Sequence, residues 1–443
     1  MIRNFLISDG YHNLITDRSE VLVMRKQTYM AIGTILILTL IFTGCSMAGN
    51  NGDMHHGDMH HEGMKKEGSS SKGNMSMMDQ KVNKSGNQNR MTMDTKNVTR
   101  IGQDDPVKVA VETSQLIWPA SHEGNRPDTV LLGVKGDWKT NLPAVTLVHH
   151  PNNGPLLYAS KNSIPKETMD EIKRLNPKGS EKNHGIQVIL VGDFSDSVRR
   201  QLENEGMKVD TVRGVNPADI ATKLDAYYAK ASGDLPQSVI VGSMDAPEYT
   251  LPAANWIAHM PEPLLYVGKD NVPKETIDAL KKRKNKANIY ILGPESVISA
   301  SVEKELGQYG NVKRISGKTP EENSIAFAKY KDKSTKFGWG ITEPGHGLTF
   351  NRMGNIESAI ASAPFAHMGK HAPMLLLEKE TLSEPMHKYL MSLQPTFKDD
   401  PTVGPYNHAF IIGSENTIPF TTQGMIDQML EITSENGGGH GGH

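Results

Sequence analysis

The residues with the clearest chemistry are histidines and methionines in a polar segment near the N-terminus. The run MHHGDMHHEGM occupies residues 54–64 and places two histidine pairs five residues apart, and the chain ends in HGGH. Imidazole is the commonest transition-metal ligand, and thioether sulfur favours Cu(I). We therefore predict ligands for copper or another transition metal at Met54, His55, His56, Met59, His60, His61, Met64, His440 and His443.

The segment that carries most of these ligands, 46–97, has no apolar periodicity and is dominated by Gly, Ser, Asn, Lys, Met and His. This composition predicts a disordered tether. Without a fixed second shell, any metal site here is loose in geometry and poor in selectivity, as in a metal buffer. A polar spacer that binds metal only incidentally is the alternative interpretation.

The single cysteine, Cys45, follows a basic region and an apolar run over 31–42, with a small residue directly before it. This run is short of the about 20 residues that a membrane-spanning helix needs. The pattern is typical of a bacterial lipoprotein signal over 1–45, with Met24 as a candidate start. Cys45 would then carry a diacylglyceryl group that holds the chain at the extracytoplasmic face of the cell membrane. An uncleaved anchor helix is the alternative.

Three copies of one α/β pattern fill the rest of the chain, at 98–208, 209–311 and 312–432, before a Gly/His tail at 433–443. Continuous apolar runs such as VILVG and IYILG, each followed by a turn and a helix, predict parallel strands covered on both faces. The repeat suits a small domain and is too long for a solenoid unit. We predict an α/β protein of three tandem Rossmann-like units.

Several classes of function have no support in the sequence. The net charge is −2 with 22% charged residues, so no global field indicates a nucleic-acid partner. No phosphate-binding glycine loop, metalloprotease motif or serine-hydrolase elbow is present, and we therefore expect no enzyme. The histidines of the repeats look scattered and are better explained as surface or core residues than as ligands: His149, His150, His346, His367, His371 and His408.

At several motifs the repeats resemble the cell wall-binding repeat type 2 family. Arg314-Ile315-Ser316-Gly317 matches the family's first element in full, and the alanine-rich run 359–366 followed by 372–376 matches its middle. The resemblance covers about residues 98–432. The last strand of the family pattern is matched by Ile291-Leu292-Gly293 and Ile411-Ile412-Gly413.

The resemblance implies both a fold and a function. Members of this family usually carry three repeats, packed as a pseudo-threefold trimer of Rossmann-like units that holds anionic wall polymer, so we expect a monomer with an internal pseudo-trimer. Arg100, Arg213 and Arg314 recur at one repeat position. They either contact phosphate or carboxylate groups of the polymer or form one structural ion pair three times.

Two functional hypotheses follow. The leading one is a lipid-anchored, non-enzymatic surface protein whose three-repeat module binds an anionic cell-wall polymer and needs no cofactor. The alternative is an extracytoplasmic lipoprotein that buffers or scavenges copper through its Met/His tether, with the α/β module as a spacer.

Replacing Cys45 by Ala should release the protein from the membrane fraction, because the lipid acceptor is lost. Fractionation of a tagged protein, with the mass of the mature chain, measures this. Unchanged membrane retention together with an unchanged mass would show an anchor helix instead.

Overall fold

The computed structural model describes residues 83–368 and 371–435. Its central strands are buried along their whole length, as their apolar sequences require. The strands are β1 Val98–Ile101, β2 Val130–Val134, β3 Leu156–Ala159, β4 Val188–Val191, β5 Val209–Val212, β6 Ser238–Ser243, β7 Leu264–Val267, β8 Ala287–Leu292, β9 Gly310–Ile315, β10 Gly347–Arg352, β11 Met374–Leu377, β12 Thr396–Phe397, β13 His408–Ile412 and β14 Thr433–Ser434.

Helices alternate with these strands, and several begin with proline, which suits a first turn because the missing N–H has no helical partner there. The α-helices are α1 Pro106–Ile117, α2 Trp138–Ala144, α3 Lys166–Leu175, α4 Asp196–Asn204, α5 Pro217–Ser232, α6 Pro247–Thr250, α7 Ala253–His259, α8 Lys274–Lys282, α9 Ala300–Leu306, α10 Pro320–Lys329, α11 Ile356–Ser362, α12 Glu384–Ser392 and α13 Phe420–Met429. Short 3-10 helices lie at Lys84–Asn87, Glu123–Asn125, Val145–Val148, Glu181–Asn183, Ala363–Ala366 and Pro401–Val403.

Three four-stranded parallel sheets share one strand order. They are β3-β2-β4-β5 in the first unit, β7-β6-β8-β9 in the second and β11-β10-β13-β1 in the third. A two-stranded parallel ladder, β12-β14, is added beside the third. The prediction of three tandem α/β units with parallel sheets is confirmed.

The fourth strand of each sheet opens the next sequence repeat. Strands β5, β9 and β1 each pair with the last central strand of the sheet before them. The helix that follows each of these strands packs on the next unit, so that α1 contacts β3, α5 contacts β7 and α10 contacts β11. Three strand–helix segments therefore cross the three unit junctions, and β1, from the start of the module, closes the ring against β13.

Three helices, one from each unit, meet at the centre of the module. They are α2 with its continuation Val145–Val148, α7, and α11 with its continuation Ala363–Ala366. The main hydrophobic cluster accordingly contains side chains from all three units. Small buried residues allow the helices to approach closely: Ala144, Ala254, Ala258, Ala359 and Ala361.

Residues 83–97, which composition places in the disordered tether, lie against the third unit. The amide of Asn97 donates to Oδ1 of Asp427 at 2.8 Å, and the guanidinium of Arg90 forms an ion pair with Glu415. The ordered module therefore begins earlier than composition predicts, because polar residues in this segment find partners that lie more than 300 positions away.

The helices α1, α5 and α10, which cross the unit junctions, are called the junction helices. One of them carries an acidic residue at a position where the other two carry apolar residues. Glu321 lies in the first turn of α10, and Val107 and Ala218 occupy the matching positions in α1 and α5. Glu321 is 2% exposed and accepts hydrogen bonds from the amide of Glu378, at 3.2 Å, and the hydroxyl of Ser383. Burial raises the pKa of this carboxyl to about 7.

This raised pKa predicts a pH-dependent stability. Between the ordinary carboxyl pKa of 4.5 and about 7, the folded state holds the Glu321 proton more tightly than the unfolded state, so the wild type loses stability as pH rises through this window. Glu321→Gln should remove this loss. Urea unfolding at about pH 5, 6, 7 and 8 measures this. The free energy of unfolding of the variant should increase relative to that of the wild type as the pH rises. A stability difference that is constant with pH would contradict the assignment.

Candidate functional site

The three recurring arginines have one structural task in common. Each lies on, or directly after, the edge strand β1, β5 or β9, and each guanidinium donates a hydrogen bond to a backbone carbonyl just beyond the neighbouring strand. For two of them the Nη1–O distance is 2.8 Å. The donor and acceptor pairs are Arg100 with Gly413, Arg213 with Phe194, and Arg314 with Gly293.

Two of these arginines also have an internal side-chain partner. Arg100 is buried, its Nε donates to Gln423 at 2.7 Å, and burial lowers its pKa to about 10. Arg314 directs Nε and Nη2 to one carboxylate oxygen of Glu303, at 2.8 and 2.7 Å. These contacts tie the edge strands to α13 and α9. Of the three arginines, Arg314 alone forms an ion pair within the described residues, so the expectation of one structural ion pair formed three times is wrong. Arg213 is exposed. Contact of the three arginines with polymer stays a prediction.

A turn in the second unit carries four lysines within six residues. The segment reads KKRKNK, begins in the last turn of α8 and continues past its end, and Lys284 and Asn285 both have a left-handed φ of 56°. Each of the four side chains is exposed, and none forms an ion pair within 83–368 or 371–435. We call this segment the lysine turn, after Lys281, Lys282, Lys284 and Lys286.

The arginine inside the lysine turn is buried and fixes it to the module. Arg283 donates from Nη1 and Nη2 to the two carboxylate oxygens of Asp225, at 2.9 and 2.8 Å, and from Nε to the carbonyl of Pro236 at 2.7 Å. The two charged side chains are 0% and 2% exposed. Asp225 lies on α5, the helix that packs across the junction between the first and second units. The ion pair therefore fixes the lysine turn to the buried part of the module. The run KKRKNK is the signal for this turn in the sequence, and the predicted site residues do not include it.

Histidines that look scattered in the sequence meet at one end of the central helices. His149, His259 and His367 lie at the end of the central helical segment of the first, second and third unit. The ring centres of His149, His150 and His367 are 5.4–5.8 Å apart, and those of His259 and His371 are 4.1 Å apart. The signal in the sequence was one histidine per repeat at the same helix end, which only an alignment by helices reveals.

Burial keeps several of these imidazoles neutral. It lowers the pKa of His367 to about 3 and that of His259 to about 4, with repulsion from neighbouring histidines adding to the effect. It also lowers the pKa of His149. In the described ranges, no group of three or more His, Cys, Asp or Glu side chains is placed so that it could hold a metal ion.

The predicted lipidation site and the predicted metal ligands of tether and tail lie outside the described residues, and they stay predictions. Within the part of the chain that the structure describes, the helices are too short or too polar to cross a membrane. The residues concerned are Cys45, Met54, His55, His56, Met59, His60, His61, Met64, His440 and His443.

Comparison with known sequences gives one partial relative. No family model matches the chain. Over 149 residues it is 32% identical to the amidase enhancer of Bacillus subtilis (strain 168), a match that covers 34% of this chain and 19% of that protein.

Two solved structures have a similar fold. Cwp6 from Clostridium difficile aligns with a TM-score of 0.59 and 18% identity, over 76% of this chain and 48% of that one. Cwp8 from Clostridium difficile aligns with a TM-score of 0.57 and 17% identity, over 75% of this chain and 52% of that one. The chain thus matches about half the length of each, and at such identities the likeness shows the fold alone.

The base of the lysine turn predicts a large effect of one substitution. Asp225→Ala leaves the buried guanidinium of Arg283 without its counter-charge and should lower the free energy of unfolding by about 3–5 kcal/mol. Adding Arg283→Met should recover most of this loss, because the buried charge is then absent. Urea unfolding measures both.

The matched control is the exposed ion pair Lys274–Asp278 on α8, the helix that Arg283 directly follows. Asp278→Ala should change stability only slightly, since exposed ion pairs contribute little. If the Asp225→Ala variant is as stable as the Asp278→Ala variant, the buried pair of Arg283 and Asp225 does not stabilise the fold as we expect.

Proposed function

We propose that the three-unit module attaches this chain to an anionic polymer of the cell wall, and that the lysine turn is the main point of contact. In this proposal the chain is a lipid-anchored surface protein, held to the membrane through Cys45, that acts by binding and catalyses no reaction. The polymer's repeating phosphate or carboxylate groups are the ligands.

The observation that carries the proposal is the density of exposed cations in the lysine turn. A lysine ammonium is a compact point charge on a flexible stem, and it binds an anion wherever it can reach one. Four ammonium groups in six residues give a local positive potential on a protein whose net charge is −2. A polymer that repeats its anions can engage several of them together, so weak single contacts add up to useful affinity.

The end of α8 explains only part of this cluster. Lys281 and Lys282 occupy the last turn of the helix, where cations interact favourably with the helix dipole. Lys284 and Lys286 lie beyond the helix end, where that interaction fades. The buried pair of Arg283 and Asp225 holds the turn in place. The fold therefore does not need all four lysines for its stability.

The comparisons support a location at the cell wall. The two structural neighbours, Cwp6 and Cwp8, are cell wall proteins of Clostridium difficile. The sequence relative is an amidase enhancer of Bacillus subtilis, matched over about a fifth of its length. Both findings agree with the resemblance of the repeats to a wall-binding family, and a lipid on Cys45 would place the module on the same side of the membrane as the wall.

Four Lys→Gln substitutions test the proposal. The test variant changes Lys281, Lys282, Lys284 and Lys286. The matched control removes the same charge from four exposed lysines spread over the module: Lys108, Lys182, Lys304 and Lys329.

Sedimentation with purified cell walls over a range of salt concentrations measures the result. The test variant should bind at least about tenfold more weakly than the wild type, which equals about 1.4 kcal/mol, and its binding should depend less on salt. The control should stay close to the wild type. Equal weakening in both variants would mean that only overall charge matters, and unchanged binding of the test variant would overturn the assignment to the lysine turn.

A further inference from the structure

We propose that the histidines at the end of the three central helices form an acid-sensitive contact between the units, which opens this end of the module when the rings become protonated. The histidine cluster consists of His149, His150, His259, His367 and His371. The proposal goes beyond wall attachment, because it depends on none of the residues of the lysine turn.

The ring contacts of the histidine cluster cross the boundaries between units. The ring centre of His367, in the third unit, lies 5.4 Å from that of His150 and 5.8 Å from that of His149, both in the first unit. The ring centre of His371, also in the third unit, lies 4.1 Å from that of His259 in the second. Positive charge on these rings therefore pushes one unit away from another.

The inner rings of the cluster pack as neutral groups. His367 is 4% exposed, and burial, followed by repulsion from neighbouring histidines, lowers its pKa to about 3. Burial also lowers the pKa of His259 to about 4, and repulsion from two histidines and Lys331 adds to this. Within residues 83–368 and 371–435, no carboxylate forms an ion pair with any ring of the cluster. A proton added to an inner ring thus brings a charge without a partner.

Aromatic and amide side chains surround these two inner rings. The ring of Trp339 stacks on that of His259 with 5.5 Å between the centres, and the ring centre of Trp118 lies 6.4 Å from that of His367. Nε2 of His367 lies 2.9 Å from the amide oxygen of Asn153, a hydrogen bond that a neutral imidazole can donate. These neighbours accommodate a neutral ring and offer no negative charge to a protonated one.

The acidic groups near the cluster are poor counter-charges. Glu262 is 8% exposed and accepts a hydrogen bond from Nε1 of Trp256, and burial raises its pKa, so acid neutralises it more readily than an ordinary carboxylate. The outer side of His149 and His150 borders a cavity of about 690 Å³, where the charges are in contact with water and of both signs. The other titratable groups of the cavity wall are Glu123, Asp128, Lys178, Glu181, Lys182 and Tyr228. On the remaining side, His346 faces His371 and adds a further imidazole.

The direction of the pH effect follows from the lowered pKa values. In a solvated, opened state the imidazoles of His259 and His367 return to the ordinary pKa of 6.5, whereas in the closed module their pKa values are lower. Above this value the rings are neutral in both states, and the closed state keeps its full stability. As the pH falls below it, the open state binds protons first and the closed state loses stability. At about pH 5 each of the two rings should weaken the closed state about thirtyfold relative to about pH 8.

The first experiment follows local opening in the full chain carrying Cys45→Ala. Amide hydrogen exchange, corrected for the intrinsic effect of pH, is compared at about pH 5 and pH 7. Acid should speed exchange at the ends of the central helices, over Val145–Val148 and Ala363–Ala366, well before it does so in the central strand β8. The emission of the neighbouring tryptophans should shift to longer wavelength in the same pH range.

Glutamine substitutions make the test specific, because glutamine retains an amide donor and cannot become charged. In urea unfolding, His367→Gln and His259→Gln should each remove about thirtyfold of the loss that the wild type suffers between about pH 8 and pH 5. The matched control, His122→Gln at an exposed position, should follow the wild type. The opposite pH effect of Glu321 is common to all these proteins and cancels in the comparison.

Three results would overturn the proposal. The first is a stability difference between each glutamine variant and the wild type that does not change with pH, which indicates a purely structural role. The second is helix ends that are equally protected at both pH values. The third is exchange that increases in β8 as early as at the helix ends. The two variants are independent, so either one suffices if the other does not fold.

Discussion

The pairing of β1 with β13 is the contact on which the closed arrangement of three units depends. Each unit builds three strands of its own sheet and takes the fourth from the segment that opens the next repeat, and for the third unit that segment is the start of the module. Val98 and Ile101 of β1 are 0% and 1% exposed, and the amides of Ala409 and Gly413 donate to β1 and the residue before it at 2.9 Å. Without β1, a buried strand edge would lose its backbone partners, which is costly in an apolar environment.

This closed arrangement also explains why imidazole side chains meet at one place in the module and exposed lysines at another. Because the junction segments repeat, the three central helices end at the same side, and the imidazoles at those ends are brought together although they lie more than 100 residues apart in the chain. The junction helix α5 serves a second purpose, since Asp225 on its buried face holds Arg283 and with it the lysine turn. The junction helix α5 thus positions the cations, and the three central helices position the imidazoles.

The sequence predicts the sheets well because the strand signal is local. An apolar run such as Val188–Val191 must be covered on both faces, and this requirement identifies a parallel strand without any knowledge of its neighbours. The sequence does not say which sheet a strand joins, so the exchange of β5, β9 and β1 between units appears only in the structure. The burial of Arg100 and the ordering of residues 83–97 escape prediction for the same reason, since both depend on partners in the third unit.

The central claim is that the module holds an anionic polymer of the wall by charge. The most direct measurement is sedimentation of the Cys45→Ala protein, which lacks the lipid acceptor, with intact cell walls and with walls from which the anionic polymer has been stripped. The account predicts that the protein sediments with intact walls, stays in solution with stripped walls, and is released from intact walls by high salt. Equal sedimentation with both kinds of wall would contradict it.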